Sequence, residues 1–326
     1  MSGPSILVVA EFDDALHAHA AQRCRALERL ECRVEAFDLK ERPGLFGRLG
    51  GGGDMRARLR KAIAAAQADL VLVIGAPGLD PLTVGELAAV TSIPWANWFP
   101  DDLRTLDEVV ARAPAYQQVF AAGTDLAEQL GAALRRPVPV LPLAADPSIY
   151  RPTRSRDQYR ANVVFAGTAT ARRETLLAGL VEFGLALWGP GWRRTSLKDY
   201  CRGEVPNTET YVRAYGGATV AINIHHTAGT NGSGPGPEAS LNQRVFELAA
   251  IGVPQVVDHR LDLDRYFEAG THLLVFRDGD ELKRLVRAAL HDSGAAESLG
   301  SAARQSVLQG HTYMHRMREL LAAMLR

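Results

Sequence analysis

The residues best suited to chemistry in this sequence stand where apolar runs give way to turns. In Ala166-Gly167-Thr168-Ala169-Thr170-Ala171-Arg172-Arg173 a strand-like run ends, small residues follow, and a helix begins with two arginines in its first turn. Cations there oppose the helix dipole by about 0.3–1 kcal/mol. A diphosphate at the same place reverses the sign, because exposed amides and a guanidinium neutralise it through charge-assisted bonds. The alternative is a solvated basic turn.

A second candidate is Ser240-Leu241-Asn242-Gln243-Arg244-Val245-Phe246-Glu247, running on to Gly252-Val253-Pro254. Arg244 and Glu247 are three apart on a helix and share a face, so a surface ion pair is one reading. The opposite face is apolar (Val245, Leu248, Ala249). A carboxylate held at the mouth of a sheet can accept both hydroxyls of a ribose, which is the other reading.

The third is Asn223-Ile224-His225-His226, followed by the Gly- and Pro-rich stretch Thr227 to Pro237. Paired histidines suit a metal, but no third ligand stands at useful spacing, and no metal site is expected. That stretch lacks G-x-G-x-x-G spacing, and the run Gly50 to Gly53 is not followed by Lys-Ser/Thr. Neither a Walker loop nor a Gly-x-Ser-x-Gly elbow occurs, which weakens NTPase and hydrolase readings. The acidic pairs Asp262/Asp264 and Asp278/Asp280 read as solvated helix caps. Nearer the N-terminus, Asp13, Asp14 and His17 follow the first apolar run, and Asp101 and Asp102 follow a Trp-rich one. Each is a candidate general base, with helix capping as the alternative for Asp13 and Asp14.

Elements able to position these groups alternate along the chain. Strands are expected at Ile6–Ala10, Val34–Phe37, Leu70–Ile74, Pro94–Phe99, Val119–Ala121 and Val138–Pro142. Between them run helical periods at about 15–30, Met55–Ala66, Thr83–Thr91 and Asp125–Leu134. The charged, Pro-containing segment Asp146 to Arg160 reads as a linker. Alternation then restarts with strands at Asn162–Ala166, Leu185–Trp188, Thr219–Ile224, Val253–Val257 and Leu273–Phe276. Helices are expected at Arg172–Phe183, Thr208–Tyr215, Leu241–Ile251, Leu261–Glu268, Glu281–His291, Ala295–Gln309 and His311–Arg326. Strand-helix alternation implies right-handed crossovers and parallel sheets covered on both faces, here in two doubly wound α/β domains. Ligands of such sheets sit beyond the carboxyl ends of the strands, where the candidates lie.

Composition narrows the partners. The 326 residues carry 37 basic and 37 acidic side chains, 47% hydrophobic and 23% charged, so no broad basic surface for nucleic acid is expected. Three cysteines without metal-like spacing fit a reducing compartment. With no basic leader and no run of about 18 apolar residues, the reading is a soluble, cytoplasmic protein with no membrane span.

A set of pieces in order then carries a resemblance. These are Asp101-Asp102, Leu143-Ala144-Ala145-Asp146-Pro147 with Tyr150 and Pro152, Val164-Phe165-Ala166-Gly167 with Arg172-Arg173, Trp188-Gly189 and Asn223-Ile224-His225. Asn242-x-Arg244-x-Phe246-Glu247-x-x-Ala250-x-Gly252-x-Pro254 and the closing His311-Thr312-Tyr313-x-His315-Arg316 complete it. From about residue 95 onward the chain resembles GT-B glycosyltransferases, nearest the spore-maturation-protein-like (CgeB-type) group; before residue 90 the likeness is of fold only.

The resemblance implies two Rossmann-like domains facing across a cleft. Residues 1–145 form the acceptor domain, 146–160 the linker, 161–310 the donor domain, and 311–326 a helix packing back on the first domain. It implies sugar transfer from a nucleoside-diphosphate sugar to an unidentified acceptor hydroxyl (glycan, protein or small molecule), without an essential metal or other cofactor. By position, Gly167 and Thr168 with Arg172 or Arg173 meet the diphosphate, and Glu247 holds the ribose. Asn242 and Arg244 line the phosphate and sugar side, Trp188, Gly189 and Val205 lie nearer the base, and Asn223 and His225 complete the donor site. The base comes from Asp13, His17, Asp101 or Asp102. Retaining relatives often carry a second glutamate eight positions earlier; here Ala239 stands there and Glu238 is one residue off, leaving the stereochemistry open. Two alternatives share the fold: a catalytically silent nucleotide-sugar or partner-binding protein, and a sugar-nucleotide epimerase.

Overall fold

The computed structural model describes residues 3–12, 19–40, 54–75, 78–100, 106–226 and 238–325. The N-terminal half contains β1 (Ser5–Ala10), α1 (His19–Arg29), β2 (Arg33–Asp38), α2 (Met55–Ala66), β3 (Leu70–Ile74) and α3 (Pro81–Thr91). It continues through β4 (Trp95–Phe99), α4 (Leu106–Arg112), β5 (Gln118–Ala121) and α5 (Thr124–Leu134). Its sheet has the order β2-β1-β3-β4-β5, with every pair parallel. The central strands β1 and β3 are buried along their whole length, as their unbroken apolar runs require when helices cover both faces.

The second half holds β6 (Ala161–Ala166), α6 (Ala171–Ala178), β7 (Leu185–Trp188), β8 (Cys201–Gly203), α7 (Thr208–Gly216) and β9 (Ala218–Asn223). After these come α8 (Gln243–Ile251), β10 (Gln255–Asp258), β11 (Leu274–Phe276), α9 (Gly279–His291), α10 (Ser293–Gly310) and α11 (Tyr313–Met324). The second sheet, also wholly parallel, has the order β11-β10-β9-β6-β7-β8. The chain therefore leaves β6 toward β7 and returns on the other side at β9, which opens a crevice between the carboxyl ends of β6 and β9.

Local chemistry sets the helix ends. Asp80 accepts from the amides of Leu82 and Thr83, with Pro81 in the first turn of α3. Asn242 caps α8 by accepting from Val245 N, and Gly252 closes it at φ +80°, its N–H reaching the carbonyls of Leu248 and Ala249. Several expectations are corrected. Val138–Pro142 forms only an isolated bridge between Val140 and Ala121. The helix expected over Leu261–Glu268 is a single 3-10 turn at Leu263–Arg265, preceded by Asp262, whose side chain is bonded to the other domain. The helix expected to run to Phe183 stops at Ala178, before Gly179. The short elements α4 and β8 were not anticipated.

The two halves share a continuous apolar core that runs from Leu27 and Trp98 through Leu143 and Tyr150 to Phe246, Tyr313 and Met317. Helix α11 lies against α1, Tyr313 N donates to Ala145 O (3.1 Å), and Arg316 Nε donates to Pro142 O (3.0 Å). The buried Arg23 guanidinium lies 4.0 Å from the Trp98 ring centre and 4.8 Å from that of Tyr313, a desolvated cation–π pair across this junction. In the linker, buried Asp146 pairs with Arg25 (3.1 Å) and Arg29 (2.9 Å) of α1.

A clasp joins the domains on another side. Helix α5 begins at Gly123, which offers no side-chain cap. Asp262 of the second half supplies one, accepting from Thr124 N (2.9 Å) and Thr124 Oγ1 (2.7 Å). Asp125 in turn accepts from the amides of Glu238 (3.0 Å) and Ala239 (3.3 Å). Glycine is required at 123 because a Cβ there would fall 2.3 Å from Ser240 Cβ.

Candidate functional site

The turn after β6 is held from the side of β7. Gly167 N donates to Trp188 O and Ala169 N to Pro190 O, both at 2.9 Å, and Trp192 Nε1 donates to Gly167 O at 2.8 Å. Gly189, at φ +114°, brings the two turns together: a Cβ on it would fall 2.7 Å from Gly167 O. Of the amides expected to meet an anion, those of Gly167 and Ala169 are thus already engaged, while Thr168 is exposed.

Three arginines converge on the crevice, with different roles. Arg173 is buried, donating to Thr168 O (2.9 Å) and Ile224 O (2.8 Å), so it bolts the end of β6 to the end of β9. Burial, reinforced by neighbouring Arg244, lowers its pKa to about 9. Arg244, from the first turn of α8, lies over the Phe165 ring (5.4 Å to the centroid) and donates to Asn223 Oδ1 (3.4 Å). One of its terminal nitrogens stands 3.1 Å from where a side chain on Gly167 would begin. Its Nε is buried without a hydrogen-bond partner among the described residues. Arg172 remains 39% exposed and donates to Asp258 Oδ2 (3.0 Å). Arg244 is thus a buried cation beside Gly167, and Arg172 a partly exposed one paired with Asp258.

Asn223 and Asn242 form a reciprocal amide pair (3.1 and 3.0 Å) that locks the end of β9 to the cap of α8. Asn223 is wholly buried, so its first role is to fix Arg244. His225, just beyond β9, is 3% exposed, with Nδ1 2.6 Å from Asp258 Oδ1 and its backbone N–H 2.9 Å from the same atom. Burial opposes the charge on Asp258, but His225 and Arg260 outweigh it and hold that carboxyl well below the usual range.

Glu247, in the middle of α8, is wholly buried. Its Oε1 accepts from Gln243 Nε2 (2.6 Å), and the Tyr150 hydroxyl is hydrogen-bonded to its carboxyl group. Gln22 Nε2 donates to Tyr150 Oη (3.2 Å) and Tyr313 Oη donates to Gln243 Oε1 (2.7 Å), so this network reaches α1, the linker and α11. On the far side of β6, Trp188 is 8% exposed and stacks on Tyr159 of the linker (5.5 Å between centroids), and half-buried Val205 packs against the core.

The fold brings Gly167, Thr168, Arg172, Arg173, Asn223, His225, Asn242 and Arg244 to the carboxyl ends of β6 and β9, with Trp188 and Gly189 at the end of adjacent β7. Asp13, His17, Asp101 and Asp102 lie outside the described residues, as do Asp14 and Thr227 to Pro237. Asp258, Tyr150, Asp262 and Tyr211, a buried residue of α7 whose hydroxyl acts on the Arg244 guanidinium, were not singled out as site residues. For Asp258 a signal existed, an acid ending an apolar strand run. Among the described residues no three His, Cys, Asp or Glu side chains gather to hold a metal ion. No helix among them is long and apolar enough to cross a membrane.

Residues 172–322 match the family model described as glycosyl transferase-like. Comparison with curated protein sequences finds no match. Among solved structures, HepE from Anabaena in complex with UDP is 14% identical over 98% of this chain and 99% of its own, with a TM-score of 0.66. Sucrose-phosphate synthase from Thermosynechococcus elongatus is 16% identical over 98% and 99%, TM-score 0.62. A glycosyltransferase from Rickettsia africae is 10% identical over 99% and 98%, TM-score 0.69. The fold is accordingly that of GT-B glycosyltransferases, two parallel-sheet domains matched along almost the whole chain.

Proposed function

We propose that the chain transfers a sugar from a UDP-sugar, or a closely related nucleoside-diphosphate sugar, to an acceptor hydroxyl. The donor diphosphate lies over Gly167 in the crevice between β6 and β9. The single observation that carries this reading is Arg244, a guanidinium buried over Phe165 with a terminal nitrogen 3.1 Å from where a side chain on Gly167 would begin. Such a charge, prefixed in a low-dielectric site, stabilises the departing diphosphate more than it stabilises any neutral ligand. Arg172 adds a second charge from the exposed rim. Because guanidinium groups supply the positive charge, no metal is required in this mechanism.

In this reading Asn223, Asn242 and Arg173 hold the site in register, and the base lies toward Trp188, Gly189 and Val205. Buried Glu247 fixes α8 through Gln243 and Tyr150 so that Arg244 keeps its place. The base that takes the acceptor proton comes from the segments after β1 and β4, with Asp13, His17, Asp101 and Asp102 as candidates. The complexes of HepE with UDP and with UDP-glucose support the nucleotide class, and the ordered motif set supports a place near the CgeB-type group.

The test is calorimetric titration of UDP, UDP-glucose, and guanosine and thymidine diphosphate sugars into wild-type protein and Arg244→Met. A charged hydrogen bond contributes about 1.5–3 kcal/mol, so the substitution should weaken donor binding by roughly 10- to 150-fold. If no nucleoside-diphosphate sugar binds the wild-type protein, the proposal fails.

A further inference from the structure

The geometry points to His225 as the residue that recognises a hydroxyl of the transferred sugar, through Nε2 acting as a hydrogen-bond acceptor. This rests on the donor-site reading above and goes beyond it by assigning the atom and the kind of group it takes.

The argument starts at the other edge of the ring. Asp258 Oδ1 stands 2.6 Å from Nδ1, and the opposite carboxylate oxygen receives Arg172 at 3.0 Å and Arg260 at 3.6 Å. An ionised carboxylate only accepts, so the proton of a neutral imidazole resides on Nδ1 and Nε2 keeps a lone pair. Burial, with Arg260 and Arg244 nearby, keeps the ring's pKa below the ordinary histidine value in spite of Asp258. Nε2 is therefore a buried acceptor, and it has no hydrogen-bond partner among the described residues. An orphaned acceptor of this kind is costly unless a ligand completes it.

Chemistry then limits the ligand. A phosphate oxygen has no proton to offer and is repelled by a lone pair, so the complement is an O–H or N–H group. Topology chooses between them. Asp258 ends β10, which pairs with β9 on the side away from β6. Nδ1 is turned to Asp258 on the β10 side, so the opposite edge of the ring, which bears Nε2, is the one left for the β6 side, where Arg244 acts on the ring's charge. A diphosphate over Gly167 has its two substituents on opposite sides. One runs toward β7, where Trp188, Gly189 and Val205 await a base, and the other runs toward β9 and β10. The group meeting His225 is thus a sugar hydroxyl.

The experiment compares UDP with UDP-glucose, UDP-galactose and UDP-N-acetylglucosamine by calorimetry on wild-type protein, His225→Ala and His225→Gln. The expected result is about a tenfold loss of affinity for the sugar nucleotide in His225→Ala with UDP affinity unchanged. Partial recovery is expected in His225→Gln, whose amide oxygen accepts. Should His225→Ala fail to fold, single-deoxy analogues of the best UDP-sugar on wild-type protein decide: one position should bind about tenfold more weakly, and that penalty should shrink in His225→Gln. Equal losses for UDP and UDP-sugar, a sugar that adds nothing to wild-type affinity, or a flat deoxy series would overturn the assignment while leaving the diphosphate site standing. Failure of UDP and every UDP-sugar to bind would overturn both.

Discussion

Replacing Glu247 by alanine separates two ways in which one carboxyl group can serve a donor site. From the sequence, a ribose-holding glutamate at the mouth of a sheet should be dispensable for folding, and its loss should remove nucleotide binding with little effect on stability. The structure reverses the second half of that expectation. Glu247 is 0% exposed, with Gln243 Nε2 at 2.6 Å and the Tyr150 hydroxyl on its carboxyl group. Truncation leaves a buried amide and a buried phenol without their acceptor, at about 1–3 kcal/mol for each group, partly offset by no longer burying a carboxyl. A net loss of about 2–4 kcal/mol follows, and for a chain of this size that lowers Tm by roughly 4–12 °C. Glu247→Gln keeps an acceptor of the same shape and should lose about 1 kcal/mol or less. Differential scanning calorimetry with and without saturating UDP makes the measurement. If Glu247→Ala melts within about a degree of wild type and UDP no longer raises its Tm, the carboxyl group is a ligand of the ribose, and the reasoning from burial is wrong.

Two further predictions concern the domain junction and pH. Gly123→Ala places a Cβ 2.3 Å from Ser240 Cβ; it should destabilise the protein by about 1–3 kcal/mol and speed amide exchange at the start of α5. Because Ser240 Cα would also lie 2.8 Å from the new Cβ, combining it with Ser240→Gly should restore only part of the loss, and a double variant as unstable as the single one would show that the Ser240 side chain is not the obstacle. His311 sits among Phe246, Tyr266 and Phe267, and burial together with Arg316 lowers its pKa to about 4. The unfolded chain binds a proton near pH 6.5 while the folded protein does not, so stability is full above that value and declines as pH falls toward 4. Solvent screening at this partly exposed ring limits the effect to the order of 1–2 kcal/mol, and buried His225, lowered in the same direction, adds to it. Urea midpoints at pH 7 and pH 5 should differ less in His311→Asn than in wild type; equal differences would remove His311 as a cause. Asp146 and Asp258, both held below their ordinary value of 3.8, matter only at lower pH.

The alternation of apolar runs with helical periods was enough to place most strands, to separate two parallel sheets and to put the turn at Gly167 and the helix bearing Arg244 on the correct edge of the second one. These features are legible because each depends on residues within one or two turns of one another. Errors fell where a distant partner overrides the local preference, as at Val138–Pro142, which makes only one bridge, and at Asp262, whose carboxylate is held by Thr124 across 138 residues of sequence.

The candidate site divides along the same line. Residue types and order alone raised the expectation of an anion-binding crevice between Gly167 and the helix bearing Arg244 and Glu247. Which side chains face that crevice was settled only by folding. Arg173, Asn223 and Asn242 bind one another's elements, Glu247 turns into the core, and Asp258 reaches His225. Periodicity along a chain reports which face of an element is covered. The atoms that meet there depend on sheet order, since β10 and β6 flank β9 in space and lie on either side of it in the chain at very different distances.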